Sequence, residues 1–156
     1  MKINICFGDS NEYIENYINT NFFKDNNFEN CHPENIDSIA DDGEVEEILA
    51  LNVLNYIDHT KLDEVIIKWF KKLKYDGTIC ISFFDFLETA RLLTIGRIDL
   101  HDAKKIFYGE QIEGWQFFKS GASLTEVKNL FESVKCKIEF CKRDGLISYI
   151  KVRRLM

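Results

Sequence analysis

Proline occurs once and glycine eight times in 156 residues, too little of either for a loop-dominated, collagen-like or low-complexity chain. No apolar run approaches the roughly 18 residues that cross a bilayer, so no membrane span is expected. The five cysteines, Cys6, Cys31, Cys80, Cys136 and Cys141, are an odd and scattered set without a C-x-x-C pair. Met1 leads straight into a strand-like run with no signal peptide before it, so a reduced, cytoplasmic protein is expected. His32, His59 and His101 lie far apart, without H-x-x-x-H or H-E-x-x-H spacing, and no metal centre is expected. Positive charge is also in deficit: 20 basic against 26 acidic residues leave a formal charge of −6. Phosphate backbones require a positive field, so nucleic acid is an unlikely partner. Lys71, Lys72 and Lys74, and later Lys151, Arg153 and Arg154, are local basic clusters that solvated helix and strand ends explain.

What is present is apolar and aromatic. Hydrophobic residues make up 46% of the chain and aromatics 13%, enough to bury the core of one domain spanning residues 1–156. Lys2 to Cys6 alternates as a short strand and ends at a turn, Phe7-Gly8-Asp9-Ser10. Tyr17-Ile18-Asn19 is a second short apolar stretch. The segment from Asn19 to Asp42 is the least patterned, with a third strand placed near Phe28 to Cys31. Val45 to Leu51 reads as a buried strand. Thr60 to Asp63 resembles a capping box, ahead of a helical stripe of Leu62, Val65, Ile66, Trp69, Phe70 and Leu73. Lys71, Lys72 and Lys74 fall in that helix's last turn, and Asp76-Gly77 breaks it before a strand from Thr78 to Phe84.

Strand, helix and strand in that order make a β-α-β unit and a parallel sheet with a right-handed crossover. Phe86 to Ile95 and Asp102 to Tyr108 read as helices. Ser123 and Glu126 form a second capping box before Leu124, Val127, Leu130, Phe131 and Val134. Lys137 to Cys141 and Leu146 to Val152, joined through Arg143-Asp144-Gly145, read as an antiparallel hairpin. The expected fold is α/β: a mostly parallel sheet closed by a C-terminal antiparallel hairpin.

That order, with its motifs, resembles the class I, Rossmann-like S-adenosylmethionine-dependent methyltransferases. Lys2-Ile3-Asn4-Ile5-Cys6-Phe7-Gly8-Asp9 is similar to the family opening K-L-N-L-G-C-G-D, and Tyr17 to Asn21 to a Y-I-N-x-D segment. Val45 to Ala50 with Asn52-Val53-Leu54-Asn55-Tyr56 is similar to D-E-I-x-A-x-H-V-L-E-H, and Trp69 to Gly77 to a helix ending in L-K-P-G-G. Phe84-Asp85 resembles a following P-D. Tyr108-Gly109-Glu110-Gln111 and Lys119-Ser120-Gly121 match a short subgroup associated with surface glycans. The resemblance implies a three-layer Rossmann-like sheet, S-adenosylmethionine as cofactor and a small acceptor such as a sugar or glycan precursor. It implies a cofactor site at Cys6, Phe7, Gly8, Asp9, Asn21, Asp37, Leu51 and Asn52, and catalytic candidates at Tyr56, Asp85, Tyr108 and Lys119. The motifs are degenerate: Cys6 replaces the first glycine and Asn21 the acidic residue after the second strand.

Physical chemistry gives each position two readings. Gly8 permits close backbone approach to a ligand, or simply makes a turn. A carboxylate at position 21 would accept two ribose hydroxyls; Asn21 offers a weaker neutral acceptor, or is an asparagine in a polar turn. On the first reading, Asn21→Asp should tighten cofactor binding by about 1 kcal/mol. Asp37 sits near the adenine or is a solvated loop carboxylate. A sulfonium is an activated donor, so positioning does much of the catalysis, and a base is needed only where the acceptor must lose a proton. The ligand crevice belongs beyond the carboxyl ends of the strands. A non-catalytic, methyltransferase-like binding module is the alternative, and homo-oligomerisation stays open. A nicotinamide-dependent dehydrogenase would need G-x-G-x-x-G after the first strand, where only Gly8 is present.

Overall fold

In the computed structural model, residues 1–9, 12–23 and 27–156 are described; Ser10 of the expected first turn lies outside them. Six strands form one sheet: β1 (Lys2–Cys6), β2 (Ile18–Asn21), β3 (Val45–Leu51), β4 (Leu73–Phe84), β5 (Cys136–Asp144) and β6 (Ile147–Arg154). Their order is β2-β1-β3-β4-β6-β5, with the first four parallel and the last two pairings antiparallel. This is the expected Rossmann-like α/β sheet with its C-terminal hairpin. The chain leaves β1 toward β2 on one side and returns to β3 on the other, so the switch point lies between β1 and β3.

The helices are α1 (Leu62–Lys72), α2 (Phe86–Thr94), α3 (Leu100–Tyr108) and α4 (Leu124–Glu132). Helices α1 and α4 cover one face of the sheet. The α1 stripe buries Val65, Ile66, Trp69 and Phe70, and Trp69 donates its indole N–H to the Pro33 carbonyl at 2.8 Å. Phe70 meets Phe131 of α4 with ring centres 5.9 Å apart. They share one core with Ile3, Ile5, Ile48, Ile79, Ile81, Phe83, Ile150 and Val152, all buried. Each such side chain contributes about 1.5–3 kcal/mol by leaving water. The expected box at α4 is present: Ser123 and Glu126 each accept the other's backbone N–H. Helices α2 and α3 lie beyond the carboxyl end of β4, where Phe86 packs against Phe107 at 4.7 Å.

Three expectations are corrected. Thr60 caps nothing: its hydroxyl and N–H both go to the Asp58 carboxylate, and α1 begins after Lys61 without a side-chain cap. Nor does Asp76-Gly77 end the helix. Helix α1 stops at Lys72, Leu73 is already extended, and Lys74 lies in β4 rather than in the last helical turn. Residues 74–77 bulge out where the pairing shifts from Leu73 opposite Val45 to Thr78 opposite Glu47. The strand placed near Phe28 to Cys31 shrinks to one parallel bridge between Thr20 and Glu29.

Among the described residues of the β1–β2 connection there is no helix. Buried asparagines organise it instead. Asn4 donates to Asn19 Oδ1 at 2.7 Å and to the Glu12 carbonyl at 2.8 Å, and the Asn19 amide holds both the N–H and the C=O of Ile14. Among the described residues, no helix is long and apolar enough to cross a membrane, and no group of three His, Cys, Asp or Glu side chains is arranged for a metal.

Candidate functional site

The carboxyl edge of the sheet has two unlike parts. On the β1–β2 side, Gly8 follows β1 with φ of +57°, a conformation that a side chain strains. Asn21, the last residue of β2, is fully buried and clasps it. Its Oδ1 accepts from Gly8 N at 3.2 Å and Phe23 N at 3.0 Å, while its Nδ2 donates to Gly8 O at 2.8 Å. Both polar atoms of the Asn21 side chain are thus engaged by the chain itself, and an aspartate there would lose the donor to Gly8. In this arrangement Asn21→Asp would have to break the clasp on Gly8 before its carboxylate could meet a ribose.

Above Gly8 sits Trp115. A Cβ on Gly8 would fall 2.3 Å from the indole ring, so the absence of a side chain makes room for Trp115. Around it, Phe7 stacks on Tyr56 at 4.7 Å and 24°, and meets Phe23 and His32 edge-on at 5.0 and 5.6 Å. Trp115 lies 6.0 Å from Phe23 and 5.9 Å from Tyr56. Burial, and to a lesser degree the nearby cations of Lys119 and Lys61, outweigh Glu34 and depress the His32 pKa, so that ring stays neutral.

Trp115 is carried by a strap, residues 109–118, that doubles back after α3. Gly109, with φ of +80°, allows the return: a Cβ there would lie 2.1 Å from the Gln116 carbonyl. Gln116 Oε1 accepts from Ile112 and Glu113 N–H, Phe118 N donates to the Tyr108 carbonyl, and Lys119 N anchors the strap's end on the Asn55 carbonyl.

On the β3–β4 side the edge is open. A cavity of about 490 Å³ lies between α3, the strap and the strand ends, lined among others by Asp9, Asn52, Tyr56, Phe84, Trp115 and Phe118. Its size is that of a small-molecule site. Asn52, just after β3, takes φ of +57° and is fixed by Ser82, which accepts from its N–H and donates to its Oδ1 at 3.1 Å. The Tyr56 phenol is pushed up to about 12, chiefly by burial and further by the Asp9 and Glu110 carboxylates. It is a hydrogen-bond donor at neutral pH and not a base.

The expected site residues therefore divide. Asp9, Asn52 and Tyr56 meet at the cavity, with Gly8 under its Trp115 wall and Leu51 half-buried at the end of β3. Cys6 is buried inside β1, and Phe7 belongs to the aromatic cluster. Asp37 pairs with Lys72 at 2.5 Å and Lys68 at 3.4 Å, beside a shallow recess with Phe22 and His32. Asp85 is fully buried, caps α2 through Glu88 N and accepts from Leu124 N and Ser148 Oγ. Tyr108 and Lys119 do not line the cavity. Sequence reasoning missed Trp115, Phe118, Asp102 and Lys105. The signal for the first was an indole on no helical or strand period, in a Gly- and Gln-containing loop, which needs a seat elsewhere.

No protein-family model matches the chain, and no curated protein matches it. Solved structures do. The chain is similar to the Burkholderia thailandensis 1,6-didemethyltoxoflavin-N1-methyltransferase, solved with 1,6-didemethyltoxoflavin and S-adenosylhomocysteine, at TM-score 0.60 and 10% identity, over 98% of this chain and 71% of that one. It is similar to a SAM-dependent methyltransferase from Methanosarcina mazei at TM-score 0.59 and 16% identity, over 83% and 67% of the two chains. A SAM-dependent methyltransferase from Archaeoglobus fulgidus matches at TM-score 0.53 and 12% identity, over 82% and 67%. At these identities the likeness is one of fold, the class I methyltransferase fold.

Proposed function

We propose that this chain is an S-adenosylmethionine-dependent methyltransferase for a small acceptor, and that its cofactor enters only when the 109–118 strap lifts Trp115 from Gly8. One observation carries the reading. The cavity lies at the carboxyl edge beside the switch point, between Asp9 after β1 and Asn52 after β3, where such sheets bind ligands. The same fold serves the methyltransferases described above.

In the arrangement described, an adenosyl group does not fit beside Gly8, because Trp115 and the Asn21 amide fill that part of the crevice. Bound, the cofactor would supply a methyl group already activated as a sulfonium. The chain's own contribution is positional. The aromatic walls exclude water, Asn52 and Tyr56 orient an acceptor, and burial, with Asp9 and Glu110 beside it, keeps the Tyr56 proton in place. The five free thiols suit a reducing compartment such as the cytoplasm. A sugar or glycan precursor, the acceptor suggested by the resemblance, would draw its polar partners from Asp9, Asn52, Asp102, Lys105 and Glu110 beside the aromatic walls.

A second reading, a methyltransferase-like module that binds without catalysis, is favoured by the self-satisfied Asn21–Gly8 clasp. Calorimetry with S-adenosylmethionine and S-adenosylhomocysteine separates the two. Trp115→Ala, checked for folding by circular dichroism, should bind both at least about tenfold more tightly than the parent chain. Absence of binding in both proteins selects the module.

A further inference from the structure

The cavity's chemistry points to its ligand. We infer that it takes a planar, nitrogen-bearing aromatic molecule with a cationic or N–H-donating edge, in preference to an anion. This rests on the reading of the cavity as the acceptor site and adds the substrate class to it.

The first observation is the wall. Tyr56, Phe84, Trp115 and Phe118 all line the cavity, with Tyr56 edge-on to Phe118 at 5.1 Å and Phe84 tilted toward Phe118 at 5.8 Å. Ile98, Ile106 and Leu146 fill the remaining apolar surface. A flat ring buries its faces on such walls and leaves its edge to the polar residues between them, Asn52 and Gln116 among them.

The second observation is the charge. Three carboxylates, Asp9, Asp102 and Glu110, stand at the cavity with a single cation, Lys105. Neither Asp102 nor Glu110 pairs with Lys105 or another cation within 4.0 Å among the described residues, and at Tyr56 the Asp9 and Glu110 carboxylates add to burial in pushing the phenol up. Aromatic faces and carboxylates both attract cations, so the two observations favour the same ligand charge. Among the described lining residues, a phosphorylated or carboxylated ligand would meet the Asp102 and Glu110 carboxylates against Lys105.

The test uses the intact chain, without cofactor, and calorimetry with three probes. They are an aminoquinoline, the 4-isomer, which is protonated at neutral pH, a naphthalenesulfonate of similar shape, and glucose phosphate. The aminoquinoline should bind at least about tenfold more tightly than the sulfonate, and glucose phosphate should not bind. The double variant Asp102→Asn, Glu110→Gln changes exposed side chains only and should narrow that preference several-fold. Sulfonate or sugar phosphate binding as tightly as the aminoquinoline, or an unchanged preference in the variant, overturns the inference. Trp115→Ala should weaken the aminoquinoline while admitting the adenosyl ligands, because the same indole walls one site and blocks the other. Aminoquinoline binding without adenosyl binding in Trp115→Ala would preserve this inference and remove methyl transfer. The converse would remove this inference alone.

Discussion

The two parts of the carboxyl edge are built from similar residues and do opposite things with them. Beside β1 and β2, the Asn21 amide, the Gly8 peptide and the rings of Phe7, Phe23 and Trp115 satisfy one another. Beside β3 and β4, Asn52 is also locked, by Ser82, but Tyr56, Phe118 and Glu110 face a cavity. The first region has closed on itself and the second has kept space. A polar residue at a strand end is thus no evidence of a ligand until its partners are known. Buried amides are costly to leave unpaired, and a neighbouring peptide group serves them as well as a ribose does.

Breaking the closed region should have the largest effect. Asn21→Asp removes the donor to the Gly8 carbonyl and places a buried carboxylate oxygen against it, and is expected to destabilise the fold by about 3 kcal/mol in urea titrations. Gly8→Ala follows, at about 2 kcal/mol, because it adds φ strain to a collision with the Trp115 ring. If Trp115 yields instead, its fluorescence should shift toward that of an exposed indole, and adenosyl ligands should gain access. The smallest effect belongs to the open side. Tyr56→Phe should leave stability at pH 7 nearly unchanged but alter its alkaline limb. The phenol titrates near 10.0 in the unfolded chain and about 12 in the fold, so its contribution is complete below pH 10 and lost as pH rises toward 12. Removing it should flatten the decline in unfolding free energy across that window, leaving the part due to Tyr17, which is raised likewise by burial and by Glu47.

The topology was legible because it rests on local signals. The alternation in Lys2–Cys6, the α1 stripe, the Ser123–Glu126 box and the Gly145 turn each act within a few residues. The Thr60 box failed because Asp58, two residues earlier, competes for the same hydroxyl and N–H. The β4 start failed because a helix can end by passing directly into an extended residue, with no breaker at the junction. Of the expected site residues, Asp9, Asn52 and Tyr56 line one cavity, but the state of the others was not legible. Whether Asn21 is free depends on a peptide at Gly8, and whether Gly8 is open depends on Trp115, far along the chain. Such long-range pairings leave no periodic trace.

The buried Asp85 carboxylate joins three elements that are distant in sequence: the first turn of α2 through Glu88 N, the first turn of α4 through Leu124 N, and β6 through Ser148 Oγ. Neither helix can fray at its amino end without leaving a fully buried acid short of donors. The two amides should therefore open as one cooperative unit, and their hydrogen exchange should show common protection although each begins a different helix. Since α2 leads into α3 and the strap, and α4 braces the sheet, this acid moors the rim of the cavity to the core of the fold.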